Sequence, residues 1–147
     1  FRTNMQTAYA VQAWQEIEAQ AESAPYLMYD AVDDYRTRAQ HRRWDGTVLP
    51  WDDPWFKTHV PPLGYNCRCG LIQLSNDDLA SMGLSPTAAP EDGTYKWKNP
   101  RTGIVERVAD GVDPGFDRNP GETYLADLGR TLDRGTLQVG QSPRRRL

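Results

Sequence analysis

The stretch Asp33 to Cys69, DDYRTRAQHRRWDGTVLPWDDPWFKTHVPPLGYNCRC, carries both histidines and both cysteines of the 147-residue chain. Its turn signals cut it into short pieces. Thr37 to Trp44 has room for two helical turns and is stopped by the strong turn pair Asp45-Gly46. Thr47 to Leu49 then reads as a brief extended piece. Asp52 and Asp53 before Pro54 form the pattern of an N-cap followed by a proline at the first helical position, which predicts one turn through Lys57. Beyond Pro61-Pro62-Leu63-Gly64, the run Arg68 to Leu74 alternates as a strand does. Short helices mixed with short strands point to an α+β fold.

Working outward, Thr3 to Glu22 contains no Gly or Pro and is rich in Ala, Gln and Glu, so propensity alone favours helix. Met5, Tyr9, Ala13, Trp14, Ile17 and Ala21 recur at three- and four-residue spacing and are expected to form one buried stripe. Ser23-Ala24-Pro25 should end that helix by Ala24, because the residue before proline is pushed out of the helical region. Tyr26 to Val32 reads as a strand with Leu27, Tyr29 and Ala31 on one face. On the C-terminal side, Asn76 is expected to cap a short helix, Asp77 to Met82, closed by Gly83. Thr94 to Lys98 and Gly103 to Val108 look like a hairpin around Asn99-Pro100-Arg101-Thr102, with Tyr95 and Trp97 on one face. Gly111 to Gly121 is a loop, and Glu122 to Asp133 has helical spacing at Tyr124, Leu125, Leu128 and Leu132.

The expected architecture is a long N-terminal helix packed on a small, mainly antiparallel sheet, followed by a β-hairpin and a C-terminal helix or arm. By residue, 1–83 is the motif-bearing module, 84–93 a linker or loop, 94–134 the hairpin with its helical extension, and 135–147 a tail that orders only on a partner. Phe1 stands where a methionine would begin a protein, and a helical pattern starts almost at once. We therefore expect a piece of a longer chain.

A mean hydropathy of -0.74 with 11 prolines and 12 glycines describes a wet, loop-rich domain. It has no run long enough to span a bilayer and no secretory apolar segment. The net charge of -3 and isoelectric point near 5.3 lack the overall basic footprint of a dedicated nucleic-acid binder. Locally, Arg42 and Arg43 beside His41, and Arg144, Arg145 and Arg146 at the end, can hold phosphate by counterion release. The competing reading has the neighbouring aspartates neutralise the first cluster in a surface network. Trp44, Trp51, Trp55, Phe56 and Tyr65 bracket the polar cluster and are expected to anchor a small core.

His41, His59, Cys67 and Cys69 supply the four nitrogen and sulfur ligands that a zinc ion asks for. A disulfide within Cys67-Arg68-Cys69 would be strained, since an extended CxC puts its Cα atoms at the far edge of the roughly 4.4 to 6.8 Å window. Two readings stay open: a closed, structural zinc site, or two reduced thiols at a strand start with His41 capping the Asp45-Gly46 turn. A catalytic reading uses the same groups, with His41 or His59 as general acid and base, Asp34 orienting the ring, and Arg36, Arg38 or Arg68 facing a phosphorane-like charge. Yet no Gly-rich phosphate loop, GxSxG elbow or HExxH helix appears. We expect no enzymatic activity.

Several of these residues also stand together, in the right order, in a known signature. Arg2-Thr3, Asp34 with Arg36 and Arg38, His41, Asp45-Gly46, Asp53 to Phe56, Pro61-Pro62 and Asn66-Cys67-Arg68-Cys69 resemble the Mu F-like minor head proteins of tailed phages, the head morphogenesis family of the SPP1 gene 7 type. Val112 to Gly121, VDPGFDRNPG, resembles the pattern that follows the CxC strand in the Mu-like branch. The resemblance spans about Arg2 to Gly121.

It implies a minor capsid protein acting in head morphogenesis, inside the head or near the portal, present in the host cytoplasm during assembly. Portal, scaffold or major capsid subunits would be its partners, with packaged DNA an electrostatic contact for the arginines. It further implies that Asp34, Arg36, Arg38 and Asp45 form a polar network fixing the loop from Gly46 to Gly64. Proteins of this family are sometimes joined to toxin domains. A nuclease or other effector in the host cell is therefore the alternative function.

Overall fold

A computed structural model describes residues 2–124 and 126. Helix α1, Arg2–Gln20, opens the chain and is followed by strand β1, Tyr26–Asp30. Next come helix α2, Ala39–Trp44, strand β2, Val48–Pro50, and a 3-10 turn, Pro54–Lys57. Strand β3, Gly70–Leu74, and helix α3, Asn76–Met82, precede a hairpin of β4, Thr94–Lys98, and β5, Val105–Ala109. Residues 120–124 are again helical, and Gly121 lies so close to Trp14 of α1 that no side chain would fit there. The α+β arrangement expected from the sequence is the one observed.

Strand β1 lies at the centre of a three-stranded antiparallel sheet in the order β2-β1-β3. Tyr26 stands opposite Pro50 on one side and Leu74 on the other. Because side chains alternate along a strand, Leu27 and Tyr29 enter the main core, while Tyr26 and Met28 face the opposite side. That second side packs Val48 and Leu74 against Leu79 of α3. Each fully buried large side chain stabilises the fold by about 1.5 to 3 kcal/mol. The centre of the sheet is thus anchored on both faces.

The main core collects Trp14 and Ile17 from α1, Leu27 and Tyr29 from β1, Trp44 from α2, and Trp55 and Phe56 from the 3-10 turn. Val108 of β5 and Val112 belong to the same core, so the hairpin packs onto the sheet that carries the motif. Residues 84–93 are irregular in conformation but firmly placed. The Thr87 amide donates to the Val48 carbonyl along β2, and the Asp92 side chain is almost fully buried.

Several local expectations need correction. The stripe on α1 is buried only toward its C-terminal end, at Trp14 and Ile17, whereas Met5 is 41% and Tyr9 66% exposed. The first turns of α1 overhang the sheet and leave an open groove of about 320 Å³, between Tyr9, Ala10 and Ala13 on one wall and Val60, Pro61, Pro62 and Leu71 on the other. Tyr65 is also exposed, touching Phe116 edge-on, so it is not part of the core. Ser75, not Asn76, caps α3. Its hydroxyl accepts from the Asp78 amide while the Asp78 carboxylate accepts from the Ser75 amide, a reciprocal pair that Asn76 is placed one residue too late to make. The expected helix over 122–133 extends beyond the described residues, as do the tail and Arg144, Arg145 and Arg146.

Candidate metal centre

Three segments meet around His41. Helix α2 carries the imidazole into the core, where Trp44 stacks on it at 5.1 Å and Tyr29 meets it edge-on at 6.4 Å. Cys67 and Cys69 arrive on the chain leading into β3. Asn66, with a φ of 61°, turns the backbone there, a left-handed conformation that asparagine tolerates better than most residues. Gln6 of α1 donates to the Cys67 carbonyl and ties the helix to this segment. The third segment is the loop after β5. Gly111, at φ 89°, lies so tightly against Gln40 and Trp44 that no side chain could stand there.

The Gly111 carbonyl is 2.8 Å from His41 Nε2. A carbonyl only accepts, so Nε2 carries the proton, and in the neutral imidazole Nδ1 presents a lone pair. That lone pair faces the two sulfurs, with Cys69 Sγ at 3.5 Å and Cys67 Sγ at 3.9 Å. All three candidate donor atoms lie within 4.8 Å of one another, and both cysteines are free thiols. The group can hold a metal ion.

Cys67 and Cys69 behave as a coupled pair. The neighbouring Cys69 thiol brings Cys67 down to about 6, against the opposing effect of burial. Cys67 in turn, together with burial, pushes Cys69 up to about 12. The pair parts with its first proton easily and its second with difficulty, as two groups sharing a site do. Thiolate is the form that binds metal.

His59 does not join this group. Its ring stacks on Trp55 at 4.3 Å and meets Trp44 edge-on at 5.0 Å. Nδ1 is 2.8 Å from the Thr58 hydroxyl and 3.1 Å from the Trp55 carbonyl. Nε2 lies 3.5 Å from Asp92 Oδ2, which is an ion pair only if the ring is protonated, and it makes no hydrogen bond. Burial lowers the pKa of this imidazole, against the Trp55 carbonyl and Asp92, which raise it. Burial is the largest effect, and the ring is neutral.

Asp92 is the residue that sequence reasoning missed. Its Oδ1 accepts from Gln40 Nε2 at 2.6 Å and Trp44 Nε1 at 3.0 Å, and its Oδ2 from Trp55 Nε1 at 3.1 Å. Two buried indoles need acceptors for their N–H groups, which was the available signal.

Of the four residues expected to form one polar network, Asp34 and Arg36 meet through the Arg36 amide, which donates to Asp34 Oδ1 at 2.9 Å, and no ion pair joins any two of the four. Asp34 holds Arg68 through both oxygens, at 2.6 and 2.7 Å, and that guanidinium keeps the carboxyl well below the usual carboxylate range. Arg38 pairs with Asp113 at 2.7 Å and reaches the Leu63 and Tyr65 carbonyls. Asp45 accepts from the Ala31 amide at 2.8 Å. Arg36 is exposed, and among the described residues its side chain makes no ion pair or hydrogen bond. Arg42 and Arg43 donate to the Asp34 carbonyl and to Gln40. Each of the two ion-paired residues found its partner in a segment far along the chain, which local spacing could not reveal.

An α+β domain with a buried His-Cys-Cys group behind an indole-lined core is the class that this geometry defines. Residues 1–72 match the family described as Phage Mu protein F like protein, and the chain belongs to that family. Over 139 residues, 95% of its length, it is 31% identical to the Escherichia phage Mu protein named "Putative capsid assembly protein F". It is also 31% identical over 140 residues to the "Mu-like prophage FluMu F protein" of Haemophilus influenzae. The chain spans 28% and 30% of the length of these two relatives. No solved structure matches it.

Proposed function

We propose that this domain is the folded module of a phage minor capsid protein acting in head assembly. The observation that carries the reading is the 31% identity, across 95% of the chain, to a phage Mu protein whose name refers to capsid assembly. The module works by binding other head proteins, namely portal, scaffold or major capsid subunits, and resides in the virion interior or near the portal after assembly in the host cytoplasm. Arg42 and Arg43 on α2 offer an electrostatic contact to packaged DNA. No described helix is long and apolar enough to cross a membrane, which is compatible with a protein packed among head subunits.

On this reading the domain has no enzymatic activity, and its polar groups serve the fold. Its cofactor is a structural zinc ion at the buried His-Cys-Cys group. The test is to follow the protein through purification of heads and mature virions with an antibody against this domain. Copurification with portal-containing heads, and headless or aberrant particles when the gene is disrupted, are expected. Normal infectious heads lacking the protein would overturn the proposal, as would cleavage of RNA by the purified domain that His41→Ala abolishes without unfolding it.

A further inference from the structure

The group offers three side chains, while a tetrahedral ion takes four donors, and the neighbouring candidates for the fourth are already committed. His59 lies outside the group: its Nδ1 is engaged by Thr58 and Trp55, and its Nε2 faces Asp92 rather than the sulfurs. Both oxygens of Asp34 are engaged by Arg68. What does adjoin the three donors is a small cavity of about 80 Å³, lined by His41, Cys67 and Cys69 on one side and by Arg36, Arg38 and Arg68 on another. A water needs only about 10 to 15 Å³ of such space.

We propose that His41 Nδ1, Cys67 Sγ and Cys69 Sγ bind one zinc ion as a three-ligand centre whose fourth position, reached through this arginine-lined cavity, holds an exchangeable water or small anion. This rests on the zinc reading given above but not on the role in head assembly.

Three features of the geometry support it. With Zn–S near 2.3 Å and Zn–N near 2.0 Å, a tetrahedral centre separates N from S by about 3.5 Å. Of the two observed separations, 3.5 Å matches that value and 3.9 Å is slightly longer. Next, the hydrogen bond from His41 Nε2 to the Gly111 carbonyl fixes the tautomer and aims the free nitrogen, the usual arrangement behind a metal-bound histidine.

The third feature is Tyr29, whose hydroxyl is buried, lies against Cys69 and makes no hydrogen bond of normal geometry. A metal-bound Cys69 thiolate retains lone pairs and accepts that hydroxyl proton. The ion thus explains an otherwise costly orphan. The thiolate-rich set selects zinc or a comparably soft ion over calcium or magnesium, and Arg36, the lining arginine whose side chain has no carboxylate partner among the described residues, favours an anion at the remaining position.

Cobalt(II) substitution tests both the ligand set and the open position. Titrated into the reduced, metal-free protein, Co²⁺ should bind one per chain, with thiolate charge-transfer absorption and the intense visible bands of a tetrahedral site. Adding azide should shift those bands. Cys67→Ser and Cys69→Ser should each lower affinity at least about 100-fold, and Tyr29→Phe about 10-fold, the size typical of a group supporting a ligand. His59→Gln should leave the bands unchanged.

A folded wild-type protein that takes up no stoichiometric Co²⁺ would remove the centre. Bands that ignore azide, or a folded His59→Gln protein that has lost the ion, would show a closed four-ligand site. The azide arm uses the wild-type protein, so it reads out even if a cysteine variant does not fold. None of these outcomes depends on whether the protein is found in phage heads.

Discussion

Two buried histidines only 18 positions apart in sequence, at 41 and 59, end in opposite chemical situations. His41 spends one nitrogen on a backbone carbonyl and turns the other toward two thiols. His59 is stacked on Trp55, edge-on to Trp44, and neighbours a carboxylate that already accepts three hydrogen bonds. One site brings three ligand-type atoms within 4.8 Å of one another. The other sits beside a hub whose carboxylate, Asp92, is engaged by three donors, while His59 Nε2 itself makes no hydrogen bond. Being a buried histidine near polar groups therefore does not make a residue a ligand; what its second nitrogen faces decides that.

The largest effect should come from the hub. Asp92→Ala strips the acceptor from Gln40, Trp44 and Trp55 at once, and each buried donor left unsatisfied in this way costs about 1 to 3 kcal/mol. Urea unfolding should show that loss, while Co²⁺ binding to any protein that remains folded should persist. If the variant unfolds no more easily than the wild type, the hub is not what holds residues 84–93 against the core.

A smaller effect separates the histidines by pH. Burial places the folded-state pKa of His59 below its ordinary 6.5. As pH falls below about 6.5 the unfolded chain takes up that proton first, so this contribution to stability is present above 6.5 and lost on acidification toward the folded value. The slope from one such group reaches at most about 1.4 kcal/mol per pH unit. Denaturation midpoints between pH 7 and pH 5 should therefore fall less steeply in His59→Gln than in the wild type. Identical slopes would contradict a neutral, buried His59.

Arg38→Ala is expected to cost only about 1 kcal/mol in a thermal or denaturant melt, because the Arg38–Asp113 pair is 36% and 34% exposed and solvent screens it. A loss of several kcal/mol would instead support the tightly buried network that the sequence motif suggested. Smallest of all, Tyr29→Phe should leave the metal-free protein about as stable as the wild type, since the hydroxyl it removes has no partner. Marked destabilisation of the metal-free variant would show that the hydroxyl is satisfied without an ion.

Much of this was readable in the chain where the signal is local. Strand β1 announced its buried face through Leu27 and Tyr29, and Asp53-Pro54 marked the 3-10 turn, where the Asp53 carboxylate accepts from the Trp55 amide. The hairpin also followed from its turn. What failed depended on contacts across the fold. Periodicity on α1 could not say how far the sheet extends beneath it, so Met5 and Tyr9 were assigned to a core that does not reach them. The CxC spacing put both thiols on one side of an extended chain, and His41 does meet them. Nothing in the sequence near His59 told which wall of the Pro-rich loop it would face. Asp113 and Gly111 lie too far along the chain to be matched with Arg38 and His41 by spacing alone.

The most direct test of the two-centre account is the thermal melt of the purified protein before and after chelation, with one equivalent of zinc then restored. Metal-binding energy is folding energy, and zinc at about 100 times its dissociation constant adds about 2.7 kcal/mol, or about 5 to 10 °C for a domain of this size. Chelation should lower Tm by that amount in the wild type and in His59→Gln, zinc should restore it, and Cys69→Ser should not respond. A wild-type Tm indifferent to both chelator and zinc would contradict it.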